Sequence, residues 1–131
     1  MFGASLTWVL LTPTVSLAAE AAFREGDQWL DAVVAQQDRN RTQLAGDLAN
    51  RLPNVRWTPP QATYLAWLDC RRLGLGDEPA AAFPRHGRVA LGRGLDYGRE
   101  GAGHVRLNFA TSPAHLSEAV RRMAATVSGS A

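Results

Sequence analysis

His104-Val105-Arg106-Leu107-Asn108-Phe109 alternates polar and apolar side chains over its whole length. Successive side chains of a strand point to opposite faces. Val105, Leu107 and Phe109 therefore share one face, and His104, Arg106 and Asn108 share the other. The apolar set belongs to a core, and the polar set faces a site or solvent. A strand of this kind needs neighbours, and Val55 to Trp57, Thr63 to Leu68 and Val89 to Leu91 are short enough and rich enough in aromatic or branched residues to supply them. Between the last two strands, Gly92 to Gly103 carries five glycines and reads as a loop.

Helical patterns surround these strands. Upstream, the chain reads as helix from Val15 through Arg24, breaks at Gly26, and starts again with Asp27 as a side-chain cap. In this second helix, of about six turns, Trp29, Leu30, Val33, Val34, Leu44, Leu48 and Leu52 recur along one side, interrupted by Gln37 and Arg41. Asp31, Gln36, Arg39, Gln43 and Asp47 lie opposite, and Pro53 ends the helix because it has no N–H to donate. Asp77-Glu78-Pro79 opens a short helix that Pro84 is expected to end early. A last helix runs from about Pro113 to Val127, capped by Ser112, with Leu116, Ala119, Val120, Met123 and Val127 on its buried side. The order predicts an α+β fold, a small, mostly antiparallel sheet covered by helices on one side.

Composition narrows the chemistry. All fourteen basic side chains are arginine, so the sequence offers no lysine. Twelve acidic residues leave a net charge of +2, and the arginines are scattered singly or in pairs, which argues against a nucleic-acid partner. The single cysteine, Cys70, excludes an internal disulfide, reads as a packing residue and agrees with a cytoplasmic location. His86, His104 and His115 share no metal-like spacing, so no metal is assigned. The apolar run Leu6 to Leu11 lacks the basic residues of a signal peptide and is too short to span a bilayer. The expectation is a truncated or misassigned start, with no membrane partner.

Several blocks, in order, carry a resemblance: Pro59-Pro60-Gln61-Ala62-Thr63-Tyr64-Leu65-Ala66-Trp67-Leu68-Asp69, then Arg88-Val89-Ala90-Leu91, then Asp96-Tyr97-Gly98, then Gly103-His104-Val105-Arg106-Leu107-Asn108-Phe109-Ala110. At these separations they resemble the MalY/PatB family of pyridoxal-phosphate (PLP) dependent C-S beta-lyases, which include cystathionine beta-lyases and belong with the class I/II aminotransferases of fold type I. Ala21 to Asp31 looks like the helix that leads into that family's small domain. The likeness runs from about Val15 to Val127. Three features depart from the family: Gly92-Arg93-Gly94 in place of a proline-glycine turn, Pro84 where a helix continues, and Met1 to about Thr12, which match nothing.

The resemblance implies a C-terminal small domain at residues 54–127, a helical linker at 15–53 to an absent PLP-binding large domain, a non-matching start at 1–14 and a tail at 128–131. Arg106 corresponds to the arginine that grips the substrate's α-carboxylate. A planar guanidinium suits that task, because it can donate two parallel charge-assisted hydrogen bonds. Asn108, Tyr64, Asp96 and Tyr97 are weaker substrate-binding candidates. The family's PLP is held through a lysine amine, which a permanently protonated arginine cannot replace. The chain alone is therefore expected to bind no cofactor, to have no catalytic residue and to be inactive. The intact protein is expected to be a homodimer acting on an amino acid such as cystathionine or a cysteine S-conjugate, as lyase or transaminase. The alternative is a non-catalytic small-domain remnant that serves as an interaction module through the apolar side of the long helix.

Overall fold

The computed structural model describes the backbone of residues 5–129 and the side chains of 14–129. Its elements run α1 (Ser5–Glu25), α2 (Asp27–Arg51), β1 (Leu65–Asp69), α3 (Ala82–Gly87), β2 (Gly92–Arg93), β3 (His104–Asn108) and α4 (Pro113–Ser128), with short 3-10 turns between. The chain divides into two units, residues 1–36 and 37–131. Much of the non-matching start, Met1 to Ala4 and every side chain before Thr14, lies outside the described residues, as do Ser130 and Ala131 of the tail.

In the first unit the α1 helix extends upstream of the expected Val15, to Ser5. The break falls at Gly26, whose carbonyl accepts the first α2 hydrogen bond, from Leu30 N at 2.9 Å. Gly26 is therefore the cap, and the expected cap, Asp27, is instead the first helical residue, where its charge favours the positive end of the helix. None of the described side chains of this unit is buried. The expected apolar side of the second helix is corrected accordingly: Trp29, Leu30 and Val34 are exposed.

The second unit holds the core. Strand β3 lies in the middle of a three-stranded antiparallel sheet of order β1-β3-β2. Val105 and Leu107 of β3 join Ala66 and Leu68 of β1 on the buried face. Leu44, Leu48, Phe83, Leu116, Val120 and Met123 from α2, α3 and α4 complete the cluster. This is the predicted α+β arrangement. Ser112 caps α4, its Oγ accepting from His115 N at 3.3 Å, and Pro113 takes the first turn, where no donor is needed.

Four local expectations are corrected. Val55–Trp57 contributes only a bridge between Arg56 and Asp69, because Pro53 on one side and Pro59 and Pro60 on the other cannot extend a ladder. Strand β1 begins at Leu65 rather than Thr63, whose φ of 71° turns the chain while its hydroxyl accepts from Leu65 N at 3.0 Å. Val89–Leu91 is a connection from the end of α3; pairing starts at Gly92, inside the expected loop, opposite Arg106. Pro84 does not end its helix, since it sits in the first turn of α3 and the helix continues to Gly87. Among the described residues no helix is long and apolar enough to cross a membrane.

Candidate functional site

The face of the sheet away from the core carries the site. Register places Trp67 of β1 and Gly92 of β2 on either side of Arg106. Directly paired residues share a face, so Trp67 and Arg106 project together, with Asp69 and His104 as the next pair along. A Cβ on Gly92 would stand 3.2 Å from Arg106 Cβ and 3.3 Å from its Nε. Glycine at this position leaves the arginine side chain its space.

Tyr97 arrives from the loop between β2 and β3. Its ring lies 5.2 Å from the Arg106 guanidinium carbon, within cation–π range, and meets Trp67 edge to face, with centroids 5.5 Å apart. Trp67 in turn stacks on His104, with centroids again 5.5 Å apart and planes 17° from parallel. His104 Nδ1 lies 2.9 Å from the Ala102 carbonyl. Arg106, Tyr97, Trp67 and His104 thus form one continuous row. Among the described residues no carboxylate pairs with Arg106.

Of the five residues singled out from the sequence, the structure brings Tyr97 and Arg106 into contact. Asn108 shares the face of Arg106, but its Oδ1 accepts from Ala110 N at 2.8 Å, which closes a local turn. Asp96 is exposed and lies 3.8 Å from Arg93. Tyr64 stands just outside β1, half exposed, its carbonyl accepting from Phe109 N at 2.9 Å. Trp67 and Gly92 were not legible as neighbours of Arg106, because strand alternation gives a residue's face but not its cross-strand partner.

A cleft of about 310 Å³ opens at the His104 end of the same face, lined by Arg56, Trp57, Thr58, Trp67, Asp69 and His104. Arg106 is not among its walls. Asp69 takes a two-point ion pair from Arg71, Nε at 2.9 Å and a terminal nitrogen at 2.7 Å, and these hydrogen bonds hold its carboxyl well below the usual range. Beside it, burial first and the Asp69 charge second push the Cys70 thiol up to about 12. That is the state of a packing residue rather than a nucleophile.

No side chain here carries a primary amine, so the residues present do not fit the aldehyde end of PLP.

No protein-family model matches the chain. It is 48% identical over 124 residues to a Mycobacterium tuberculosis protein provisionally named a cystathionine beta-lyase, matching 82% of this chain and 30% of that one. Cystathionine beta-lyase PatB of Bacillus subtilis is 38% identical over 112 residues, 85% of this chain and 29% of PatB. The crystal structure of a provisionally named PLP-dependent beta-cystathionase from Corynebacterium diphtheriae superposes with a TM-score of 0.81 at 42% identity, covering 85% of this chain and 29% of that one. The chain therefore spans about 30% of the length of the curated relatives it matches. Shared sequence and shared fold place it, over the C-terminal small-domain portion that it covers, in the MalY/PatB family of PLP-dependent C-S beta-lyases.

Proposed function

We propose that this chain is the part of a PLP-dependent C-S beta-lyase or aminotransferase that recognises the amino-acid substrate, with Arg106 binding the α-carboxylate. The observation that carries the reading is a guanidinium in the middle of β3, on the open face of the sheet, with an aromatic ring against it and no acidic partner among the described residues. In water such a group binds a carboxylate weakly. Covered by a second domain, it would bind through two charge-assisted hydrogen bonds in a drier setting. Asn108, Tyr64, Asp96 and Tyr97 remain candidate substrate contacts, and the substrate class proposed is cystathionine or another cysteine S-conjugate.

When bound in the intact enzyme, PLP supplies the electron sink for chemistry at Cα and Cβ. The contribution of this chain is to bind and orient. Holding the carboxylate fixes the amino acid about its Cα, which converts a loose encounter into a positioned one. Because the lysine and the cofactor pocket are not in this sequence, the chain alone is proposed to be inactive, and its partners are the PLP-bearing large domain and, in the full-length cytoplasmic enzyme, a second subunit.

A graft tests this. Replacing the matching 29% of PatB with this chain should give an enzyme that releases thiol from cystathionine, while the chain alone with PLP releases none. In the graft, Arg106→Gln should lower kcat/KM by on the order of a hundredfold, the value of one lost charge-assisted pair. An Arg106→Gln graft as active as its parent would remove the carboxylate role.

The second reading, a non-catalytic interaction module, is favoured by the exposure of Phe23, Trp29, Leu30 and Val34. Those residues are also the natural contact for the large domain, so the two readings separate on activity of the graft rather than on binding.

A further inference from the structure

Arginine side chains have four rotatable bonds, and an exposed one samples many orientations. Ordering it before the ligand arrives lowers the cost of binding. The surroundings of Arg106 supply such ordering from one side and leave room on the other. Gly92 lies beneath the side chain, where any Cβ would crowd Arg106 Cβ at 3.2 Å and Nε at 3.3 Å. Tyr97 lies against the guanidinium at 5.2 Å.

Tyr97 is itself held in place. Its loop closes through backbone contacts that admit no side chain: a Cβ on Gly94 would fall 2.0 Å from the Gly101 carbonyl oxygen, and one on Gly101 would fall 1.9 Å from that of Gly94. Gly98 N donates to Leu95 O at 3.2 Å, and Arg93 is tied to Glu78 by an ion pair. Behind the ring, Trp67 presents its edge or face at 89°, braced in turn on His104. An exposed aromatic residue fixed so thoroughly, touching one cation, has a narrow range of uses.

We propose that Tyr97 is a positioning residue: backed by Trp67 and with room left by Gly92, it holds the Arg106 guanidinium in one orientation for a carboxylate, acting through the arginine and not on the substrate. The proposal rests on the reading of Arg106 as a carboxylate-binding residue. It depends on the ring of Tyr97 and not on its hydroxyl, so phenylalanine should serve as well.

The test is made by NMR on the whole chain with labelled arginine, the Arg106 Nε–H resonance being assigned by its loss in Arg106→Gln. Protons near the face of an aromatic ring are shifted upfield. The Arg106 resonance should therefore lie upfield of the other exposed arginines in the parent and in Tyr97→Phe, and return to their position in Tyr97→Ala. Titration with N-acetylglycine should show affinity for Arg106 weakened about two- to fivefold in Tyr97→Ala and unchanged in Tyr97→Phe. Gly92→Ala reaches the same guanidinium from the other side and should also move its resonance and weaken the titration, with Tyr97 intact. An Arg106 signal identical in the parent and Tyr97→Ala, or equal affinities in the two, overturns the positioning role while leaving carboxylate binding in place. A parent chain whose Arg106 signal ignores N-acetylglycine, while still shifted by Tyr97, overturns the carboxylate reading and the proposal built on it.

Discussion

The buried Asn40 amide donates to two backbone carbonyls, Phe109 O and Thr111 O, each at 2.8 Å. One turn of α2 thus clamps the chain where it leaves β3, three residues beyond Arg106. Its neighbour Arg41 donates to Pro60 O at 2.9 Å and so ties down the approach to β1. The two polar residues anchor two of the three strands that form the site. Replacing Asn40 by leucine would remove both donations, leaving Phe109 O with Thr111 N alone, and should cost about 2 kcal/mol, measured as a lower urea midpoint at unchanged slope. Stability equal to the parent would show that the clamp is not used.

Acid should destabilise the chain through two carboxylates. Arg71 depresses Asp69, and hydrogen bonds first from Arg121 and then from Arg122 bring Glu118 down to about 2. A carboxyl whose folded pKa lies below its unfolded value stabilises the fold while both states are ionised. That contribution is lost as pH falls from the ordinary carboxylate range through the folded value. The urea midpoint should therefore drop between about pH 4.5 and pH 2. Asp69 has only 17% of its side chain exposed, against 39% for Glu118, so its share should persist in salt while that of Glu118 is screened. Asp69→Asn should flatten the acid limb more than Glu118→Gln. An unchanged slope in Asp69→Asn would contradict the assignment.

Legibility differed from element to element for physical reasons. The alternation around Arg106 predicted both faces of β3, since a strand with one dry face has little choice of which residues to bury. Ser112-Pro113 predicted the start of α4 because capping is local chemistry. The α2 stripe misled: Trp29 and Leu44 obey the same period, yet only the second packs against the core, and period carries no information about what an element meets. Asn40 went unnoticed because a polar residue in a helix reads as solvated until its long-range acceptors are known. The places of Trp67 and Gly92 beside Arg106 could not be read for the same reason, since they depend entirely on the register of β1 and β2.

Cys70 should behave as a silent thiol. It is 1% exposed, its N–H donates to Gly103 O at 2.9 Å, and its thiol is pushed up to about 12. At pH 8 almost none is thiolate, and no reagent reaches it in the folded state. A coloured disulfide reagent should label the native chain only at the rate of structural opening and label it at once in denaturing urea. Rapid native labelling would mean that this edge of the core is open.

Exposed apolar side chains on the first unit lead to a prediction about association. Phe23 is 87% exposed, Trp29 70%, Leu30 52% and Val34 58%, and all lie near the Gly26 break between α1 and α2. Burying apolar surface gains about 25 cal/mol per Å², and soluble monomers rarely leave several large apolar residues so close together. Under the proposal that the large domain covers this region in the full-length protein, the chain alone should self-associate in sedimentation experiments as concentration rises. Association should persist in added salt, because an apolar contact is not screened. Phe23→Ser with Trp29→Gln should shift the distribution toward monomer without lowering the urea midpoint of the second unit, whose core contains neither residue. If the parent stays monomeric at every concentration reached, those side chains are not a self-association surface.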